Sequence, residues 1–142
     1  MISVRSLWAM AAIFAAWLAM DFVIHQLILG SSYAATVAMW RPMAEIKMEL
    51  MYGVVAFSVF VFVYIYSRFF AAKSIGAGLM YGVLFGLSTG LSMGYGTYAV
   101  QPLLHDIALA WFIGSTAEGA VAGLLVGVIV KDPSVKDPSG GS

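Results

Sequence analysis

Four long, predominantly apolar stretches, Ser6 to Leu29, Met43 to Ser67, Ile75 to Ala99 and Leu103 to Val130, occupy most of this chain. A helix rises 1.5 Å per residue and a bilayer core is about 30 Å thick, so about 20 apolar residues suffice for one crossing. The expected fold is therefore all-α. It is a polytopic membrane protein, a four-transmembrane-helix up-down-up-down bundle, because the connections are short and consecutive helices then pack antiparallel. Composition agrees: of 142 residues, 62% are hydrophobic and 10% charged, too few polar groups to coat a soluble globule. Residues 1–130 form the expected single transmembrane domain. Residues 131–142 repeat Lys-Asp-Pro-Ser and end in Gly-Gly-Ser, which buries no apolar surface and predicts a disordered cytoplasmic tail.

Charge and cysteine usage narrow the function classes. Seven basic residues balance seven acidic ones and are scattered, so there is no dense cationic surface for a nucleic acid. The absence of cysteine removes disulfides, thiolate metal sites and cysteine nucleophiles. No serine is visibly matched with a histidine and an acid, so nucleophilic hydrolysis has no support. The first apolar stretch exceeds a signal-peptide core and ends in Asp21 and His25 rather than a small-x-small site, which predicts a retained anchor.

Basic residues resist translocation and so orient the bundle. Arg5, Arg68, Lys73, Lys131 and Lys136 fall on one side of the spans, and Arg41 and Lys47 on the other. Both termini are expected in the cytoplasm. Between spans 1 and 2, Tyr33, Val37 and Trp40 recur at helical spacing ahead of Pro42. That pattern fits a short interfacial helix with aromatic residues at headgroup depth, or an ordinary loop with aromatic anchors.

Span 3 carries Gly78, Gly82, Gly86, Gly90 and Gly94 at an unbroken spacing of four, and span 4 carries Gly119, Gly123 and Gly127. In lipid, close backbone approach and van der Waals contact supply the attraction between helices, and glycine permits that approach. The groove serves either span 3 against span 4 within one chain or a homo-oligomer. Span 2 differs, since Phe57, Phe60, Phe62, Tyr64 and Tyr66 crowd its inner half and predict a broad face toward lipid.

Ionisable residues inside the spans mark where function is to be sought, because each costs about 2.5–3.5 kcal/mol at mid-membrane on the insertion scale. Asp21 and His25 share one face of span 1, and Glu45 and Glu49 one face of span 2. His105 and Asp106 open span 4, and Glu118 lies well inside it. Counting from the cytoplasmic boundary puts Asp21 at roughly 22 Å, Glu118 at about 18 Å, and His25 and Glu49 at about 28 Å. Two tiers result, one of Asp21 with Glu118 and one of His25 with Glu49. Arg41 and Tyr98 join these four as ligand-binding candidates near the outer mouth. The outer half holds Arg41 and Lys47 against Asp21, Glu45, Glu49, Asp106 and Glu118, an acidic vestibule that concentrates cations or protonated species. A metal site from Asp21, His25, Glu49 and Glu118 has suitable nitrogen and oxygen donors but lacks the Glu-x-x-His pairs of di-iron bundles. Haem ligation by His25 and His105 conflicts with depths that differ by about 9 Å. No cofactor is named by the sequence.

The segments Asp21-Phe22-x-Ile24-His25, Tyr33, Trp40-Arg41-Pro42-x-x-Glu45, Tyr98-Ala-Val-Gln-Pro102 and Trp111 to Glu118 together resemble an uncharacterised family of small four-span bacterial inner-membrane proteins. The resemblance implies a bacterial inner-membrane location and a four-helix fold, and it carries no activity, substrate or cofactor. Two functions remain open. One is a polar cluster in the outer half that binds a small ligand, cation or proton, with Asp21 and Glu118 at its centre and His25 and Glu49 as an outer relay. The other is a non-catalytic accessory or assembly subunit that docks onto a larger membrane complex through its glycine-rich helix faces.

Overall fold

A computed structural model describes residues 2–131; the expected disordered tail lies, beyond Lys131, outside the described residues. Helix α1 spans Val4–Phe22 and runs on through a π-helical turn, Val23–Ile28. Helix α2 is Gly30–Ala35, followed by the 3-10 turns Val37–Met39 and Met43–Glu45. Helix α3 is Met48–Phe69, and α4 is Ile75–Leu91. A second π-helical turn, Ser92–Gly96, continues α4 into α5, Thr97–Val100, and α6 is His105–Ile129. Taken as continuous rods, Val4–Ile28, Met48–Phe69, Ile75–Val100 and His105–Ile129 are long and apolar enough to cross a membrane.

Local sequence explains the helix starts. Ser3 accepts a hydrogen bond from the Ser6 amide, and Ser74 one from the Ala77 amide, so each satisfies an otherwise unpaired N–H of a first turn. Span 2 begins later than its hydropathy predicts. Pro42 leads only into the 3-10 turn Met43–Glu45, after which Ile46 is extended and α3 starts at Met48.

The glycines of α4 lie against α6. A methyl group added at Gly78 would stand 2.8 Å from the Gly127 Cα, one at Gly82 2.6 Å from the Gly123 Cα, and one at Gly86 2.8 Å from the Thr116 Cα. As residue numbers rise along α4 they fall along α6, so the two helices run antiparallel with their backbones in direct contact. Of the two uses expected for this groove, the contact within one chain is the one observed.

Helix α1 packs on α6 and on α3. The main core joins Ala9 and Ile13 of α1, Val59, Phe62, Val63 and Tyr66 of α3, and Ala122 and Val126 of α6. Here the expectation for span 2 divides. Phe57, Phe60 and Tyr64 are exposed, whereas Phe62 and Tyr66 are fully buried. The Phe62 ring stacks on Tyr81 of α4 at 4.5 Å, and the Tyr66 hydroxyl donates to the Ser74 carbonyl at 2.8 Å. Helical periodicity is the reason: residues 62 and 66 share a face that 57, 60 and 64 do not.

A second apolar cluster closes one end of the bundle. Leu29, Leu103, Ile107 and Ala108 are buried there, with Ile24, Tyr33, Trp40 and Trp111 packed around them. Residues 30–40 therefore fold over the helix ends with Tyr33 and Trp40 turned inward. The Tyr33 and Trp40 rings meet edge-on at 5.1 Å, and Trp40 meets Trp111 at 6.2 Å.

Candidate functional site

Trp17, Asp21 and His25 succeed one another at intervals of four along α1 and so share a face. That face is held against α6 by the Trp17 indole, whose Nε1 donates to the Glu118 carbonyl at 2.9 Å. One turn further on, Asp21 of α1 and Glu118 of α6 line the same small cavity. A hydrogen bond between two carboxyls needs one O–H, since an ionised carboxylate only accepts. A direct contact between the two would therefore take up a proton, or hold a cation in its place. Oε1 of Glu118 is buried and finds no hydrogen-bond partner among the described residues.

His25 extends this pair toward the end of the bundle capped by residues 30–40. Its Nε2 lies 3.7 Å from Oδ1 of Asp21. Its ring stacks on Tyr33 with centroids 5.8 Å apart and planes 10° from parallel, and Nδ1 sits 2.6 Å from the phenol oxygen. The same phenol accepts from Nε1 of Trp111 at 2.8 Å. The phenol oxygen can accept from Trp111 and still donate its proton to Nδ1; in that arrangement the ring proton of neutral His25 sits on Nε2, facing Asp21. Burial pushes the Tyr33 phenol above its ordinary value, and the Asp21 charge adds to this against the Trp111 bond, so the phenol stays a neutral donor. The result is a polar chain, hydrogen-bonded from Trp111 through Tyr33 to His25 and continued by Asp21 and Glu118 on the wall of one cavity.

A cavity of about 20 Å³ opens beside the chain, lined by Asp21, His25, Met93, Trp111, Ser115 and Glu118 among others. One water needs about 10–15 Å³ by the same kind of measure, so the space admits a single water-sized species. Both π-helical turns border it, the first supplying Ile24 and His25 and the second Met93. In such a turn the backbone bonds skip one residue further than in an α-helix, as the Leu29 amide does in reaching the Ile24 carbonyl. The extra residue rotates the next turn of the helix and widens the local groove.

The structure brings together Asp21, His25 and Glu118 but not the other candidates. Glu49 lies in the first turn of α3 and is exposed, and Glu45 is exposed in the preceding 3-10 turn. The expected tier of His25 with Glu49 is thus replaced by His25 with Tyr33, because the late start of α3 leaves Glu49 at the helix entrance. Arg41 is exposed between the two 3-10 turns. Tyr98 belongs to a separate aromatic group, edge-on to Tyr95 and His105 at 6.4 and 5.8 Å. The two histidines thus sit in different clusters. Among the described residues, no three or more His, Asp or Glu side chains are placed to hold a metal ion.

Two members of the chain, Tyr33 and Trp111, were not legible as site residues from spacing. The available signal was chemical: a Tyr or Trp drawn into an interior carries a polar tip that needs a partner. Comparisons with family models, with curated proteins and with solved structures find no match to this chain.

Proposed function

We propose that this is a small integral membrane protein whose outer-half carboxylate and histidine cluster binds a proton or a small cation at Asp21 and Glu118. The observation that carries the reading is that two carboxyl residues from different helices line one cavity with room for one water-sized species. That volume argues against a larger ligand in this cavity. His25 and Tyr33 form the polar route outward, through the hydrogen bond between them and the 3.7 Å contact of His25 with Asp21.

The basic residues support a setting for this site. With Arg5, Arg68, Lys73 and Lys131 on one side and Arg41 and Lys47 on the other, the helices run up and down with both termini cytoplasmic. The site then lies in the outer half, beneath a cap made by residues 30–40 in the interfacial region. The family resemblance supports a bacterial inner membrane.

The test is a titration of thermal stability and sodium binding for the purified protein between about pH 5 and 8, where histidine and coupled carboxyls exchange protons. Asp21→Asn with Glu118→Gln is expected to abolish sodium binding or flatten the pH profile. A double variant identical to the parent in both measurements would defeat the reading.

A second reading, an accessory subunit docked on a larger complex, draws support from α3. This helix leaves Met51, Val54 and Phe57 exposed along one side, together with the open Gly53. The glycines of α4 offer it less, because α6 already covers them. Loss of co-purifying partners on Val54→Arg, with Asp21 and Glu118 variants retaining them, would favour it.

A further inference from the structure

The small polar cavity has walls from three of the four spanning helices. Asp21 and His25 come from α1 and its π-helical turn, Met93 from the turn that ends α4, and Ser115 and Glu118 from α6. Among the described residues, none from α3 lines it. Helix α3 does pack on α1 toward the other end of the bundle, where the Ser6 and Ser67 hydroxyl oxygens lie 3.1 Å apart and the Trp17 ring meets Phe62 edge-on at 6.1 Å. Followed back toward the start of α3, Val59 is the last buried residue, and Val55 packs at the margin of the core. Every residue from 48 to 54 is exposed. Seven consecutive residues cover the whole circumference of a helix, so this part of α3 is exposed on its inner side too. The fourth wall of the cavity is therefore open.

The groups at this opening are polar. The Asp21 and His25 side chains are 37% and 31% exposed. Tyr52 belongs to the stripe of α3 that runs on through Val55 and Val59 to Phe62, and it is 47% exposed. Glu49, one turn before Tyr52, is exposed as well. Both stretches lie within helices long and apolar enough to cross a membrane. Ionisable side chains in such helices are costly against hydrocarbon and face a bundle interior or a water-filled space instead. An apolar filling would leave Asp21 and His25 facing it and would offer nothing to Oε1 of Glu118, which lacks a partner among the described residues. Water supplies both the donors and the acceptors.

We propose that a water-filled cleft enters the capped half of the bundle between α3 on one side and α1 and α6 on the other, and that hydrated protons or cations reach Asp21 and Glu118 through it. The inference rests on the proposed reading of that site and adds the side from which it is reached. Entry through the cleft needs no movement of the cap formed by residues 30–40.

The chain has no cysteine, so an introduced thiol reports alone. The test places the full chain, carrying Tyr52→Cys, Val55→Cys, Leu50→Cys or Phe57→Cys, in phosphatidylcholine nanodiscs and measures the rate of modification by a membrane-impermeant trimethylammonium methanethiosulfonate. Leu50 and Phe57 are exposed on the opposite side of α3 and bracket the other two along the helix, so depth alone does not separate the pairs. The thiolate is the reacting form and requires water, so Tyr52→Cys and Val55→Cys are expected to react at least about tenfold faster than Leu50→Cys and Phe57→Cys. Tyr52 lies outside the core, and its variant carries the test if Val55→Cys fails to fold. Slow reaction on both sides of α3 would overturn the proposal by filling the cleft with lipid chains or a second copy of the chain. Fast reaction on both sides would overturn it by taking this part of α3 out of the bilayer. The rates do not depend on what the site binds. A wet stripe in a protein whose pH and sodium titrations ignore Asp21 and Glu118 would defeat the proposed function and leave the cleft, and a dry stripe with responsive titrations would do the reverse.

Discussion

Gly82→Ala tests the contact on which the arrangement of helices depends. The added methyl group would meet the Gly119 carbonyl oxygen first, and would stand 2.6 Å from the Cα and 2.8 Å from the amide nitrogen of Gly123. All three atoms are backbone of a neighbouring helix, so no side-chain rotation can relieve the clash. Ordinary contact begins at 3.4 Å, so α4 and α6 must separate locally by at least about 0.8 Å. A radial gap of about 0.5–1 Å forfeits roughly a quarter to a half of the dispersion energy between facing atoms. Overpacking of this kind costs about 1–3 kcal/mol, and a rigid obstacle argues for the upper end. Alanine returns up to about 1 kcal/mol of helix propensity, leaving a net loss of about 2 kcal/mol. The matched control is Gly53→Ala, where nothing lies within 4 Å of the added methyl group and only the propensity gain remains. Reversible unfolding in mixed detergent micelles measures both. If the two variants agree within about 0.5 kcal/mol, the scatter of ordinary surface substitutions, the direct backbone contact is refuted.

Tyr33→Phe removes the group that links Trp111 to His25, so two half-buried polar atoms lose their partner at a cost of about 1–3 kcal/mol, measurable by unfolding and by a shift of the Trp111 indole N–H resonance. The same variant should flatten the alkaline limb of stability. A phenol whose folded-state pKa is raised above 10.0 contributes fully below that value and loses the contribution as pH rises through the folded-state pKa. Tyr66→Phe should cost about 0.5–1.5 kcal/mol, toward the low end because the Ser74 carbonyl keeps its bond from the Gly78 amide. Tyr64→Phe, at an exposed position of the same helix, should stay within about 0.5 kcal/mol of the parent in the same assay.

The candidate site is a case where depth along a helix was informative and direction around it was not. Asp21 and Glu118 lie at similar counted depths, and they line one cavity. His25 and Glu49 do so as well, and they do not, because α3 begins at Met48 and its first turn stays exposed. Hydropathy cannot locate that start: residues 43–47 are mixed in character, and the break at Ile46 and Lys47 is a matter of backbone conformation. The inward turn of Tyr33 and Trp40 was equally hidden, since aromatic residues near a membrane surface suit headgroups and a packed cap alike.

The sequence by itself determined the number of spanning helices, their approximate limits and the small-residue stripe of span 3. These are local properties, set by the length of an apolar run and by spacing along one helix. Only the tertiary structure decided that this stripe faces α6 within the chain, that Tyr66 is core while Tyr64 is not, and that Trp111 and Tyr33 complete the chain to Asp21 and Glu118. Those outcomes depend on how each helix is rotated about its axis and where the connecting segment folds. Many contacts distant in sequence set both together.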